Sequence, residues 1–270
     1  MGLPSFITPI MGKKQGYLPL TTAWIAATSE TDTTILNALN TFEASLIANG
    51  MSSDLIAYYP MVGGTSTKHS YNFMNTSLYQ LTFAGGWIHS STGALSNGTN
   101  TFADTGINAS TVLTQNNSHL GFYSRTNSAV GGRVSIGAGS IPANRYHLMY
   151  LKITGLGNAN AYNTSATATQ FATTANTNSE GFYLSNKTSS AIAGLTLDKN
   201  GLQIAANPAA ITANNYPNIN VFISTFNGIN EFDNKECAGA TIGLGLNATK
   251  RGQLEDMVNA LNTSLSRNVY

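Results

Sequence analysis

The sequence predicts an all-β fold, a single antiparallel β-sandwich with one helix before it and one helix after it. From about residue 55 to 243 the chain alternates short apolar segments with turns rich in glycine and asparagine. On either side of this region, apolar residues recur with helical spacing. Many short strands separated by such turns are typical of sandwiches, and a chain of 270 residues is long enough for one sandwich with additions.

The first helix is predicted over about residues 31–49. Its apolar residues fall at i, i+4, i+7 and i+11, which places them on one face: Ile35, Leu39, Phe42 and Leu46. Asp32 supplies an acidic first turn, and Asn49-Gly50 ends the pattern. A helix with one apolar face must bury that face against another part of the molecule.

The second helix is predicted over about residues 247–267. Its apolar face consists of Leu254, Val258, Leu261 and Leu265, and Asn247 is a suitable N-cap. Gly252 inside this helix costs about 1 kcal/mol relative to alanine. The apolar face must therefore be buried for the helix to be stable.

The strands are expected in the apolar segments between the two helices. They are Leu55–Val62, Leu78–Phe83, Trp87–Ser90, His119–Tyr123, Tyr146–Ile153, Phe182–Ser185, Ala191–Lys199, Leu202–Ala205 and Ile219–Ile223. Asn200-Gly201 is the strongest hairpin signal, because both residues readily adopt the positive φ angles of a two-residue turn.

Residues 1–20 are predicted to form an extended arm outside the sandwich. The segment contains Pro4, Pro9 and Pro19, which interrupt regular helix. It also carries several apolar side chains: Phe6, Ile7, Ile10, Met11, Tyr17 and Leu18. An apolar arm needs cover, so we expect it to dock on its own sandwich or on a neighbouring subunit.

Charged residues are scarce. Asp, Glu, Lys and Arg make up 9% of the chain, against roughly 25% in an ordinary soluble domain. The 13 basic and 12 acidic residues leave a formal charge of +1, so no basic footprint for nucleic acid is present. A nearly neutral surface does little to keep copies apart, which favours an assembled homo-oligomer.

Compartment signals are few. Cys237 is the single cysteine, which excludes an intrachain disulfide, and its apolar surroundings favour a buried thiol. No apolar run approaches the roughly 18 residues of a membrane span. Lys13 and Lys14 follow the first apolar stretch instead of preceding it, so we expect no secretory signal.

Several segments of the predicted sandwich resemble those of known proteins. They are Gly181–Asn186, Leu195–Gly201, Ile219–Phe226 and the run Glu236–Leu246, which is followed by a helix ending in Ser264–Val269. These segments resemble LamG-type, concanavalin-like jelly-roll proteins encoded by phages. Tyr59–Gly64, Phe83–Trp87 and Tyr123–Asn127 are similar to the same group. The resemblance covers about residues 21 to 270. It implies a concanavalin-like sandwich and, since many such proteins are virion components, a role in a virion.

A search for catalytic residues yields one carboxylate-rich segment, Glu231–Glu236. In an extended chain Glu231 and Asp233 share a face, whereas Glu236 lies on the opposite one. The acid and base of a glycosidase must flank one bond at about 5 to 9.5 Å, and carboxylates on opposite faces of a strand do not meet this requirement. The segment also follows the turn signal Asn227-Gly228. We therefore expect no catalytic residues and no enzymatic activity, with a concanavalin-like glycoside hydrolase as a distant alternative.

Binding residues are suggested mainly by the resemblance, because LamG-type domains often bind calcium or sugars. The candidate calcium ligand is Asp104, although calcium prefers six to eight oxygens and the chain offers few carboxylates. The histidines are scattered without metal-ligand spacing: His69, His89, His119 and His147. The candidate glycan-binding residues are Trp87, Tyr123, Arg125 and Asn127. The alternative for Trp87, which follows Gly85-Gly86, is a core position beneath a bend.

The leading functional hypothesis is a structural protein on the exterior of a phage virion. It would act in assembly as a capsid, tail or fibre component, with other virion subunits as partners, and it could attach to a cell-surface glycan of the host. The alternative from another class is a carbohydrate-binding module or adhesin.

Overall fold

Two antiparallel β-sheets stack face to face, and helices cover one of them. The computed structural model describes residues 16–128, 133–143, 145–153, 158–163, 171–211 and 215–270. Its described strands begin at Leu55 and end at Gly243. The predicted all-β, concanavalin-like sandwich is confirmed, with helices at both ends of the chain.

The helices are α1 (Pro19–Thr28), α2 (Thr33–Ala48), α3 (Ser66–Ser70), α4 (Ala109–Val112) and α5 (Ala248–Ser264). The strands are β1 (Leu55–Tyr59), β2 (Thr82–Ala84), β3 (Ile88–Ser90), β4 (Gly93–Leu95), β5 (Phe102–Asn108), β6 (Ser118–Ser124), β7 (Ile136–Ser140), β8 (Arg145–Ile153), β9 (Asn158–Asn163), β10 (Ala172–Ala175), β11 (Gly181–Lys187), β12 (Leu195–Lys199), β13 (Leu202–Ala206), β14 (Asn220–Ile223) and β15 (Glu236–Gly243).

The first sheet has eight strands in the order β13-β12-β11-β6-β15-β4-β3, with β1 also paired to β15. The second sheet has seven strands in the order β10-β9-β8-β7-β14-β5-β2. Strands far apart in sequence are neighbours in both sheets, as in a jelly roll. The Asn200-Gly201 hairpin is confirmed, since both residues have positive φ angles of 52° and 76° and join β12 to β13.

The main core lies between the two sheets. Alternation along each strand directs every second side chain into it. The first sheet contributes Leu120, Phe122, Tyr183, Leu195, Leu197, Ala240 and Ile242; the second contributes Ala103, Ile107, Ile136, Met149, Leu151, Val221 and Ile223. These side chains are buried and form one continuous apolar cluster.

A second core lies between the first sheet and the helices. It joins Trp24, Leu39, Phe42, Leu254, Val258 and Leu261 of the helices to Tyr58, Tyr123, Phe182 and Leu184 of the sheet. Both predicted helices are confirmed, and each buries its expected face. Asp32 and Asn247 cap them, accepting hydrogen bonds from the backbone N–H groups of Thr34 and Lys250. These helices therefore cover the outer face of the eight-stranded sheet.

An additional helix begins where the arm was expected to remain extended. Residues 1–15 of the predicted arm lie outside the described residues. Pro19 does not prevent helix, because it occupies the first position of α1, where a missing N–H costs nothing. The buried Glu43 carboxylate accepts hydrogen bonds at 2.8 Å from the N–H groups of Leu20 and Thr21 and so caps α1.

Three expected strands are shorter than their sequence patterns. The strand expected over Ala191–Lys199 begins only at Leu195, because Ala193 has a φ angle of 58°. β1 ends at Tyr59, short of Val62, and Met61 has a φ angle of 48°. The segment expected from Leu78 to Phe83 is strand only from Thr82, because Tyr79 adopts a φ angle of 56°. A non-glycine residue with positive φ departs from the extended conformation of a strand. No helix in the described part of the chain has the length and apolarity needed to cross a membrane.

Candidate functional site

The outer face of the seven-stranded sheet carries a groove of about 290 Å³. Its described lining consists of Ile141, Tyr146, Leu148, Tyr150, Phe171, Phe226 and Glu231. The lining is therefore mainly aromatic and contains one carboxylate. Binding pockets for small ligands commonly combine apolar and aromatic walls with a few polar groups, in volumes from about 300 Å³.

Alternation along β8 places its aromatic residues in this groove. His147, Met149 and Leu151 are buried and point towards the core, so Tyr146 and Tyr150 lie on the opposite, outer face. Both tyrosines are only partly buried. The strand thus supplies two phenol rings, four residues apart, on one surface.

Two glycines of β7 allow large side chains to lie directly on the sheet. Gly137 and Gly139 are outward-facing positions of this strand and alternate with the buried, inward-facing Ile136 and Ala138. A Cβ atom at Gly139 would lie 2.4 Å from the ring of Phe226. A Cβ atom at Gly137 would lie 2.3 Å from Leu148. Any larger residue would therefore displace the floor of the groove.

Glu231 is the acidic group of the groove. Its Oε2 atom accepts a hydrogen bond of 2.6 Å from the hydroxyl of Tyr150. Burial raises the pKa of the Glu231 carboxyl, and the bond from Tyr150 and the charge of Arg133 act in the opposite direction. At neutral pH the carboxylate is a strong acceptor held in place by a neighbouring ring. The groove can thus offer flat apolar faces and an oriented hydrogen-bond acceptor to one ligand.

Trp87 is partly buried and makes contacts within the protein. Its indole N–H donates a 3.1 Å hydrogen bond to the carbonyl of Phe102, and its ring contacts Phe83 edge to face at 5.4 Å. The ring packs on the margin of the main core and remains partly exposed. The predicted core position is therefore only partly realised, and Trp87 lies apart from the lining of the outer groove.

Tyr123 and Arg125 lie under the C-terminal segment. Tyr123 is fully buried on the helix side, and its hydroxyl donates to Asn268 Oδ1 at 2.8 Å. Arg125 donates to the carbonyl of Arg267 and to Glu236 Oε2, at 2.8 and 2.9 Å. The ring of Tyr123 is thus covered by protein, and Arg125 connects β6 to the end of the chain, while glycan binding by these two residues stays a prediction.

Asn127 and Asp104 are engaged by protein groups. Asn127 Oδ1 accepts hydrogen bonds from Lys152 Nζ at 3.0 Å and from the N–H of Ser179. Asp104 accepts from the amide of Asn220 and from the N–H of Gly106. Among the described residues, no group of three or more His, Cys, Asp or Glu side chains is arranged to hold a metal ion. Calcium binding at Asp104 stays a prediction.

The carboxylates of the Glu231–Glu236 segment are separated by the fold. Glu231 lies in the outer groove, whereas Asp233 is buried beneath it in an ion pair of 2.7 Å with Lys235. Glu236 pairs with Arg125. Asp233 and Glu236 thus have cationic partners elsewhere, and these three carboxylates do not converge on one bond.

The sequence contained two signals for the groove. Alternation in Tyr146–Tyr150 indicates that the two tyrosines share a face, and Gly137-Ala138-Gly139 exposes only glycine on one face of its strand. Neither signal shows that Phe226 and Glu231, which follow β14, lie on the same surface. That proximity requires the pairing of β14 with β7.

Comparison with known proteins yields structural neighbours of low sequence identity. No family model matches the chain, and no curated protein matches it. A mutant of Trypanosoma rangeli sialidase aligns with a TM-score of 0.47 and 9% identity, over 83% of this chain and 39% of the sialidase. The binding domain of botulinum neurotoxin serotype D aligns with a TM-score of 0.46 and 13% identity, over 76% of this chain and 52% of the binding-domain chain.

A third neighbour is domain 4 of an extracellular arabinanase from Geobacillus stearothermophilus, solved with arabinotriose. It aligns with a TM-score of 0.44 and 12% identity, over 75% of this chain and 98% of that domain. The chain thus spans about two fifths of the sialidase and about half of the neurotoxin binding domain. At these levels of similarity the neighbours assign no activity to this protein.

Proposed function

We propose that this protein binds carbohydrate in the outer groove of the seven-stranded sheet. The observation that carries the proposal is the combination of partly exposed aromatic rings with an oriented carboxylate, on the sheet face opposite the helices. The exposed rings are Tyr146, Tyr150 and Phe171, and the carboxylate belongs to Glu231.

Sugars are complementary to such a surface. One face of a pyranose ring presents C–H groups, which pack on the face of an aromatic ring, while the hydroxyls around its edge donate and accept hydrogen bonds. The Glu231 carboxylate can accept from sugar hydroxyls while it retains the bond from Tyr150, because a carboxylate has about four acceptor positions. Its negative charge favours neutral sugars over sugars that carry a carboxylate.

Substitution of Glu231 by glutamine should weaken glycan binding about 10- to 100-fold, since a hydrogen bond to a charged group contributes about 1.5 to 3 kcal/mol. The measurement is screening on an array of neutral, amino and acidic glycans, followed by titration calorimetry with the neutral glycans that bind. Wild-type affinity should fall as the pH drops through the raised pKa of Glu231, which lies above the ordinary value.

The control is Asp256→Asn, which also removes one negative charge but lies exposed on α5, in the helical layer. This variant should bind like the wild type. A wild-type protein that binds no glycan on the array, or a Glu231→Gln variant with unchanged affinity, would contradict the proposal.

A second proposal is the role on the exterior of a phage virion, with copies of this chain and other virion subunits as partners. It is supported by the charged fraction of 9% and by the segments that resemble phage LamG-like proteins. The two proposals are compatible, because a glycan-binding groove would serve host attachment. Quantitative gel analysis of purified virions should give an integral copy number of this protein per particle. Absence of the protein from the particles would contradict a role in the virion.

A further inference from the structure

We propose that the groove continues onto a neighbouring aromatic pair, Phe102 and Phe222, and that the two together bind a linear neutral oligosaccharide of at least three units. The proposal rests on the proposed function, because it concerns the length of the glycan and the residues that contact it. A site for one terminal sugar would need only the groove. A site for a linear oligosaccharide needs a second apolar surface at a suitable distance from the groove.

The aromatic pair lies on the same face of the sheet as the groove. Phe102 belongs to β5 and Phe222 to β14, and their ring centroids are 5.8 Å apart at an interplanar angle of 72°. The adjacent residues Ala103, Val221 and Ile223 are fully buried in the main core. Alternation therefore places both phenylalanines on the outer face, where each remains partly exposed.

One turn connects the pair to the groove. The turn after β14 is closed by a hydrogen bond of 2.9 Å from the N–H of Phe226 to the carbonyl of Asn230. Phe226 lines the groove at the start of this turn. A Cβ atom at Gly228, in its middle, would lie 3.4 Å from the rings of both Phe102 and Phe222. The same turn thus contacts the groove through Phe226 and the ring pair through Gly228.

The separation suits a short chain of sugars. β5, β14, β7 and β8 are successive neighbours in the sheet. Neighbouring strands lie about 4.8 Å apart, so β5 and β8 are separated by roughly 14 Å, about the length of three pyranose rings joined in a line. A linear glycan lying across the strands would therefore reach the ring pair at one end while its other end contacts Tyr150 and Glu231.

The test is a titration of the full chain with oligosaccharides of one to six units. The probes are cello-, xylo-, manno-, arabino- and chito-oligosaccharides, measured by calorimetry. In the series that binds, affinity should rise roughly tenfold or more between one and three units, which corresponds to about 1.4 kcal/mol, and then level off. Phe222→Ala should reduce this rise, so that the trisaccharide no longer binds more tightly than the monosaccharide.

Phe222→Leu is the second variant, because it preserves apolar volume and removes the flat ring. It should also flatten the rise while retaining the wild-type melting temperature. The matched control is Leu202→Ala, an exposed apolar residue on β13 at the edge of the other sheet, which should leave the rise unchanged.

The outcomes separate the two proposals. Equal affinity for one and three units would overturn the two-part site and leave carbohydrate binding intact. Failure of every series to bind would overturn carbohydrate binding and this inference with it. If Phe222→Leu left the rise unchanged but altered the mass measured by light scattering, the pair would be an interface between copies of the chain, and the inference would be wrong.

Discussion

Lowering the pH from 7 to 5 should destabilise the folded domain by about 6 kcal/mol, with three buried histidines contributing about 2 kcal/mol each. His69, His119 and His147 are all fully buried. Desolvation by burial is the main cause that lowers the pKa of His69 and His147 to about 3 and that of His119 to about 4. In the unfolded chain the same side chains titrate near 6.5.

The direction of this change in stability follows from proton binding. Between pH 6.5 and about 4 the unfolded state binds protons at these histidines and the folded state does not, so stability is lost as the pH falls. At pH 5 the unfolded-state pKa lies 1.5 units above the pH, which gives about 2 kcal/mol for each histidine. Carboxyls with pKa values raised by burial, such as Asp198 and Glu255, act in the opposite direction as the pH falls through those raised values.

His147 offers the most direct test of this acid sensitivity. Its ring stacks on Tyr216 at a centroid distance of 4.5 Å, and neither ring nitrogen has a hydrogen-bond partner among the described residues. Lys187 and His119 add unfavourable positive charge nearby. His147→Phe should keep the stack and remove about one third of the pH dependence. Urea denaturation from pH 7 to 5 measures it; a wild-type stability that stays constant over this range would refute the prediction.

Replacing Arg267 by methionine should destabilise the domain by about 3 to 5 kcal/mol. Arg267 is 1% exposed, and its guanidinium donates to three backbone carbonyls: Met61 at 2.7 Å, Pro60 at 2.6 Å and Ala238 at 2.9 Å. Burial lowers the pKa of this guanidinium to about 10. Methionine would fill a similar volume but leave these buried carbonyls without donors.

Arg267→Lys separates charge from geometry in the same experiment. A single ammonium group keeps the charge but cannot reproduce the planar fork, so its loss of stability should lie between those of the wild type and Arg267→Met. Urea denaturation at pH 7 gives the free energies of unfolding. A methionine variant within 1 kcal/mol of the wild type would show that the carbonyls find other donors.

The surroundings of the candidate binding residues cannot be predicted from the sequence of a single strand. Tyr123 and Arg125 carry suitable side chains for a sugar, and the local sequence Tyr123–Asn127 is typical of an exposed strand end. The C-terminal residues Arg267 and Asn268 cover this end, more than 140 positions later in the chain. A contact over such a distance leaves no trace in the local pattern, so the sequence did not indicate that the C-terminal residues pack on Tyr123 and Arg125.

Local patterns by themselves determined the elements of this protein. Helical spacing in α2 and α5, alternation in the strands and the Asn200-Gly201 turn were sufficient for the all-β class and both long helices, because each depends on residues a few positions apart. Only the tertiary structure decided which sheet the helices cover. That choice buries Tyr123, and the pairing of β14 with β7 brings Phe226 and Glu231 to Tyr150, since sheet order joins segments that are distant in sequence.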